Sequence, residues 1–243
     1  MSILKEKNLF LSLWIMSDRS RQPKLGDGTQ TSIYPSMYKD NEVQIAFKYT
    51  TTRLNTAAST LDCIRKSPPA AIICVDGGIS DPKYVNFQSR LAVYAQSGGT
   101  VIFAHLFSNF VSGSNMKRLW GSFGLDWQSG DYHRTDFALN PGCKDVFGSQ
   151  RWNNLDKAYN VKALHLKGVP SEGKVYVPAD GAKSMSMVFA PAEVDQDQTP
   201  AAFTHYGKGL VGYVGDVNNE GGSRKLVMEM LGEDYFTHLT FLC

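Results

Sequence analysis

Ser97-Gly98-Gly99-Thr100-Val101-Ile102-Phe103-Ala104-His105-Leu106-Phe107 reads as a helix end, a two-glycine turn, a buried strand, and a histidine where the strand runs out. Pro69-Ala70-Ala71-Ile72-Ile73-Cys74-Val75-Asp76-Gly77-Gly78 has the same grammar and ends in an acid and two glycines. Continuous apolar runs of this length are strands covered on both faces. In open α/β sheets, ligands bind outside the carboxyl ends of the strands. Asp76 and His105 are therefore the first residues to watch.

Outward from these strands, the chain keeps alternating. Leu9–Ile15 predicts a first strand, residues 17–41 a long polar loop, and Glu42–Thr52 a second strand. Arg53–Lys66 carries apolar residues at helical spacing until Pro68-Pro69 stops it. Asp81-Pro82 has the form of a helix start, and Gly98 that of its end near Gln96. Asn115–Phe123 predicts one more helix. Strand-helix alternation over 42–123 implies parallel strands with right-handed crossovers. After Gly124 the pattern changes. Trp127–Leu139, Tyr159–Val169, Lys174–Val177, Met185–Ala190 and Ala201–Val217 all have strand character, with a hairpin turn at Tyr206-Gly207-Lys208-Gly209. Glu220–Leu231 closes as a helix. The expectation is an α/β fold in one domain, residues 1–243. It has a flavodoxin-like, mostly parallel sheet with helices on both faces. An antiparallel extension occupies the C-terminal half, in a strand-rich elaboration over 125–206.

The chain has 243 residues, 42% of them hydrophobic, enough for a full core. Its net charge is +2 and the charges are dispersed, which argues against nucleic acid or an anionic membrane surface as partner. Cys63, Cys74, Cys143 and Cys243 form no CxxC pair, so reduced thiols in a cytoplasmic protein are the default. Lys5 and Lys7 precede an apolar run, but no small-x-small site follows, and a core strand explains it better than a signal peptide. No run reaches the ~20 residues of a membrane-spanning helix.

This order of elements resembles the class I glutamine amidotransferase-like superfamily, nearest its trehalose-utilisation (ThuA-like) branch. Ile73-Cys74-Val75-Asp76-Gly77-Gly78 is similar to the family's strand and glycine-rich oxyanion loop. Gly98–His105 resembles the strand leading to the nucleophile elbow. Gly209-Leu210-Val211-Gly212-Tyr213-Val214-Gly215-Asp216-Val217-Asn218-Asn219-Glu220 is similar to the late strand and loop that hold the family's histidine and glutamate. The departures matter more. Ala104-His105-Leu106 has no cysteine at the elbow, and the late loop has no histidine. Glutamine hydrolysis needs a thiolate to attack the amide, so the resemblance implies the fold without that activity.

Asp76, His105 and Asp216 would meet if the strand order is as drawn. An acid beside a histidine raises the imidazole pKa and suits acid–base work. The same trio could hold a metal, but no HxH, HExxH or HxxE spacing supports one, and nothing in the sequence calls for a cofactor. Against these stands a plainer use: Asp76 capping a turn and His105 bonded to backbone. Gly77 and Gly78 could present amides to an oxyanion, or serve only a tight turn. Asn109, Asn218 and Glu220 are candidate ligand-binding groups. Tyr132 and Arg134 share one face of their strand. Gly207-x-Gly209 and Gly212-x-x-Gly215 do not open a helix, so they are turns and close packing rather than a dinucleotide loop. There is no GxSxG elbow.

Three functions remain open. The first is a superfamily member without amidotransferase chemistry that binds a small polar ligand or a partner protein at the strand ends. The second is a hydrolase or lyase on a polar, sugar-like substrate, using His105 with Asp76 or Asp216. The third is a structural module whose appended strands make a homodimer.

Overall fold

Side-chain alternation along two short strands sets the layers. In β3 (Ala71–Cys74) and β4 (Thr100–Phe103), Ile73 and Ile102 enter one core, while Ile72, Val101 and Phe103 enter the other. A strand alternates its side chains between two faces, so both faces of this sheet must be covered. The computed structural model describes residues 13–17, 50–54 and 56–232.

The main sheet has six strands in the order β2-β1-β3-β4-β9-β8. Here β1 is Leu13–Ser17, β2 is Thr50–Leu54, β8 is Ala201–Tyr206 and β9 is Gly209–Val214. β3, β4 and β9 run parallel, with Ile72 beside Val101 and Val101 beside Val211. β8 returns antiparallel to β9 through Gly207-Lys208, where Gly207 has φ +60. The sheet is mixed. β1 lies between β2 and β3 and runs antiparallel to both, so the predicted parallel succession across 42–75 does not hold. Apolar periodicity reports which face a residue occupies, not which strand lies next to it. Arg53 and Leu54 belong to β2 rather than to the following helix. The expectations for residues 9–12, for the loop over 18–41 and for residues 42–49 lie outside the described residues.

Helices α1 (Ala57–Lys66), α2 (Val85–Gln96) and α4 (Gly113–Ser122) cover one face. α1 starts where Thr56 Oγ1 accepts from the Ser59 N–H at 3.1 Å. α2 buries Phe87, Leu91 and Ala95, and α4 buries Met116, Leu119 and Trp120. Phe103 stands edge-on to Trp120 and Phe123, and Trp120 to Trp127. Asp81 caps a 3-10 turn at Pro82–Tyr84, and the α-helix proper begins at Val85. A short α3 (Phe107–Phe110) follows β4. No described helix is long and apolar enough to cross a membrane.

A second sheet and α7 (Gly221–Leu231) cover the other face, with short α5 (Lys144–Phe147) and α6 (Ser149–Asn154) beside them. That sheet has the order β6-β5-β7, all antiparallel: β5 Gln128–Leu139, β6 Ala158–Lys167 and β7 Tyr176–Pro178. The expected antiparallel extension is therefore a separate sheet, and only β8 lengthens the main one. The reason is burial. Thr135, Phe137 and Leu139 alternate inward along β5, and Phe137 and Leu139 enter the same core as Phe203 and Met230 instead of joining an edge. The chain before β7 covers the start of the outer edge of β8: the Val175 N–H donates to the Ala201 carbonyl at 2.9 Å, and Lys174 bridges Ala202.

Met185–Ala190, expected as a strand, is a loop. Met185 makes one antiparallel bridge to Arg134, Lys183 bridges Glu193, and the Ser184 N–H donates to the Ala192 carbonyl at 2.8 Å. Ser186 Oγ accepts from the Val188 and Phe189 N–H groups, each at 3.1 Å. Residues 183–193 thus form a tied arm. The run Met187-Val188-Phe189 lacks the polar alternation of a half-buried strand.

Phe103 sits at the centre of the aromatic cluster and Phe110 lies at the surface. Phe103→Ala is expected to cost about 3–5 kcal/mol in urea unfolding. Phe110→Ala should stay within about 0.5 kcal/mol of the wild type.

Candidate functional site

Register builds the site. Cys74 pairs with Phe103 and Phe103 with Tyr213, so Asp76, His105 and Gly215 leave the sheet side by side, with Asp216 next. The three strands that carry these residues are therefore neighbours, as their sequence predicts. What each side chain does there differs from residue to residue.

Asp76 turns back on its own chain. Its Oδ1 accepts from the Gly78 N–H at 2.8 Å and caps the 3-10 turn Gly77–Ser80. Burial pushes its carboxyl up, and that N–H bond opposes the rise. A Cβ on Gly77 would stand 2.6–2.8 Å from the backbone of Phe107, Phe110 and Val111. Glycine is required there because two loops touch. The Gly78 amide, a candidate for an oxyanion, is already given to Asp76.

His105 is buried, at the strand-to-helix turn between β4 and α3, with φ +61. Asn219, with φ +56, hydrogen-bonds to its side chain. Among the described residues these two are the non-glycine positions with positive φ, and they meet. Left-handed backbone is uncommon outside glycine, and Asn and His tolerate it better than most. The expected rise in the imidazole pKa does not occur. Burial lowers it to about 4, with Asn219 opposing, so the ring is neutral at neutral pH.

Asp216 organises the late loop. Oδ1 accepts from the Asn218 N–H at 2.7 Å and Oδ2 from the Glu220 N–H at 2.6 Å, just ahead of α7. Burial pushes its carboxyl up against bonds from Ser223, Asn218 and Glu220. Its own carbonyl accepts from Ser108 Oγ at 3.1 Å, and Asn109 Nδ2 donates to the Val217 carbonyl at 3.1 Å. Ser108 and Asn109 thereby tie the loop after β4 to the loop after β9. Glu220 pairs with Arg134 of β5, which also donates to Asn160 at 2.6 Å. Asn218 Nδ2 donates to Glu220 Oε1 at 3.3 Å.

His105, Asp216, Asn219 and Ser223, with Val214 and Val227, line one recess. Asp76 does not. Its free volume is about 10 Å³, the space one water molecule needs. His105 and Asp216 are legible in the sequence as site residues; Asn219 is legible only as one asparagine among several, and Ser223 is not. A signal for Asn219 existed in its place beside Asn218, where a sharp loop leaves a strand. Ser223 carried none, since a serine after two glycines at a helix start reads as solvent-facing. Among the described residues, no group of three His, Cys, Asp or Glu is placed to hold a metal. The glycines of 207–215 pack closely: a Cβ on Gly209 would meet the Gly99 carbonyl at 2.1 Å, and one on Gly215 the Leu164 carbonyl at 2.1 Å.

No known family model matches the chain, and no curated protein matches it. A solved structure similar to it is a β-galactosidase from Bacillus circulans sp. alkalophilus, at 15% identity and a TM-score of 0.36. The match covers 59% of this chain and 20% of the β-galactosidase, so this chain spans about a fifth of that protein.

His105 and His165 are both held near 4 in the fold, against 6.5 for an ordinary imidazole. The unfolded chain takes up these protons first. Each histidine therefore contributes stability that is present above about pH 6.5 and lost as pH falls through 4, on the order of 3 kcal/mol apiece. Asp76 and Asp216, raised in the fold, contribute stability at acid pH that is lost as pH rises through their folded values, which offsets part of the loss. The urea midpoint is expected to drop between pH 6.5 and 4.5. His105→Asn, which keeps a residue that accepts the left-handed backbone, should make that slope shallower.

Proposed function

We propose that this chain is a non-catalytic association module, an amidotransferase-like, flavodoxin-like sheet without the cysteine chemistry, that works by binding a partner protein. The observation that carries the reading is where apolar surface is left uncovered. Met187 is 104% exposed, Val188 82%, Phe189 77% and Met185 44%, all on one hydrogen-bonded arm. Exposed apolar groups scattered singly need no explanation, but a contiguous patch marks an interaction site. Half-exposed Tyr132 lies two residues along β5 from the Met185 bridge and adds to the patch.

The strand ends favour the same reading. Asp76, Ser108, Asn109 and Asp216 are engaged with the protein's own backbone. The recess has room for about one water molecule, not for a sugar ring. His105, with left-handed backbone at a strand-to-helix turn, supports the amidotransferase-like resemblance, since a nucleophile elbow occupies such a turn. A cytoplasmic setting belongs to this reading, with Cys74 and Cys143 as buried free thiols.

One observation favours the hydrolase or lyase reading: the Ser223 hydroxyl, the His105 imidazole and the Asp216 carboxylate line the same recess. A thermal-shift panel of sugars, sugar phosphates, nucleotides, amino acids and divalent metals separates the two. The association reading expects no rise in melting temperature with any of them. A rise that His105→Asn abolishes would establish a ligand site at the elbow and displace it, because a ligand bound only by the native state stabilises by RT ln(1 + [L]/Kd).

A further inference from the structure

We infer that the partner of the arm is a second copy of this chain, the two arm tips packing on each other across a two-fold axis. This rests on the association reading and names its partner. The first argument is area. Met185, Met187, Val188, Phe189 and Tyr132 together expose roughly 600 Å², at the upper end of the patch a monomer leaves open. Two copies that covered each other's patch completely would remove on the order of 1,200 Å², which reaches the lower bound of a stable interface.

Charge is the second argument. At the base of the arm, Lys183 and Glu193 form an ion pair at 3.1 Å. The Lys162 ammonium sits over the Tyr132 ring, 4.9 Å from its centre, and Arg134, next to the Met185 bridge, is paired with Glu220. The patch therefore carries no field of one sign. A two-fold axis brings each surface against itself, and a single-sign rim would repel there, while this rim does not. A strongly charged partner would find nothing to match. Pre-organisation is the third argument. Ser186 already fixes the backbone at Val188 and Phe189, so less conformational freedom is lost when the tip is covered.

The test is sedimentation equilibrium of the full chain. The wild type is expected at twice the chain mass. Met187→Ser/Val188→Ser/Phe189→Ser should raise the dimer dissociation constant at least a hundredfold, with an unchanged circular dichroism spectrum. Phe189→Ser alone, a milder change should the triple variant fold poorly, is expected to raise it at least tenfold. Val93→Ser, an exposed apolar site on α2 away from the arm, should leave it unaltered. A wild type that stays monomeric at every concentration overturns the second copy as partner, while the thermal-shift panel still decides the association reading separately. A dimer that survives the triple substitution overturns the arm as its interface.

Discussion

Where β3, β4 and β9 leave the main sheet, most of the chain that follows them is buried. A backbone group buried there needs a partner inside the protein, because a buried unpaired amide or carbonyl costs about 1–3 kcal/mol. Asp76 and Asp216 supply acceptors for the amides of the turns that follow them. Ser108 and Asn109 supply donors for the Asp216 and Val217 carbonyls. The residue types that would equip a catalytic crevice are the same types that close one, and which use prevails is settled by where their hydrogen bonds go.

His105 shows what that closure does to chemistry. An imidazole near a carboxylate gains basicity only if their attraction exceeds the cost of burying the charged ring. Here desolvation outweighs the opposing bond from Asn219, and the ring stays neutral at neutral pH. Its left-handed backbone is matched by that of Asn219, so one bond between two strained residues holds both loops. The half-buried Arg134–Glu220 pair extends the tie to the second sheet. Charge-assisted bonds of this kind are stronger than neutral ones, and this one joins β5 to the residue that precedes α7.

The buried strands were legible in the sequence because four consecutive apolar residues between turns have few other solutions. Ala71–Cys74 and Thr100–Phe103 stand where their runs and flanking glycines predict. The hairpin at Gly207-Lys208 and the helix ending at Leu231 were legible for the same local reasons. Strand order was not. β1 intervenes between β2 and β3, and neighbour choice depends on long-range pairing that periodicity does not record. The second sheet was legible as strands but not as a layer, since face-to-face packing and edge extension use the same alternation. At the site, the sequence singled out His105 and Asp216 but could not show that Asp76 serves its own turn. Met187-Val188-Phe189 read as strand because apolar residues are assigned to the interior by default. Here Ser186 and Pro191 bound a loop that turns them outward.

The cover over β8 has a consequence for how far association can run. A bare outer strand offers a row of amides and carbonyls on which further chains can stack without end. In this protein the start of that row, at Ala201 and Ala202, is taken by Val175 and Lys174 of the same chain. The exposed apolar surface lies elsewhere, on a bent arm whose backbone is tied within itself by Ser184 and Ser186. The apolar arm and the sheet edge that could template further strands thus lie on different parts of the molecule.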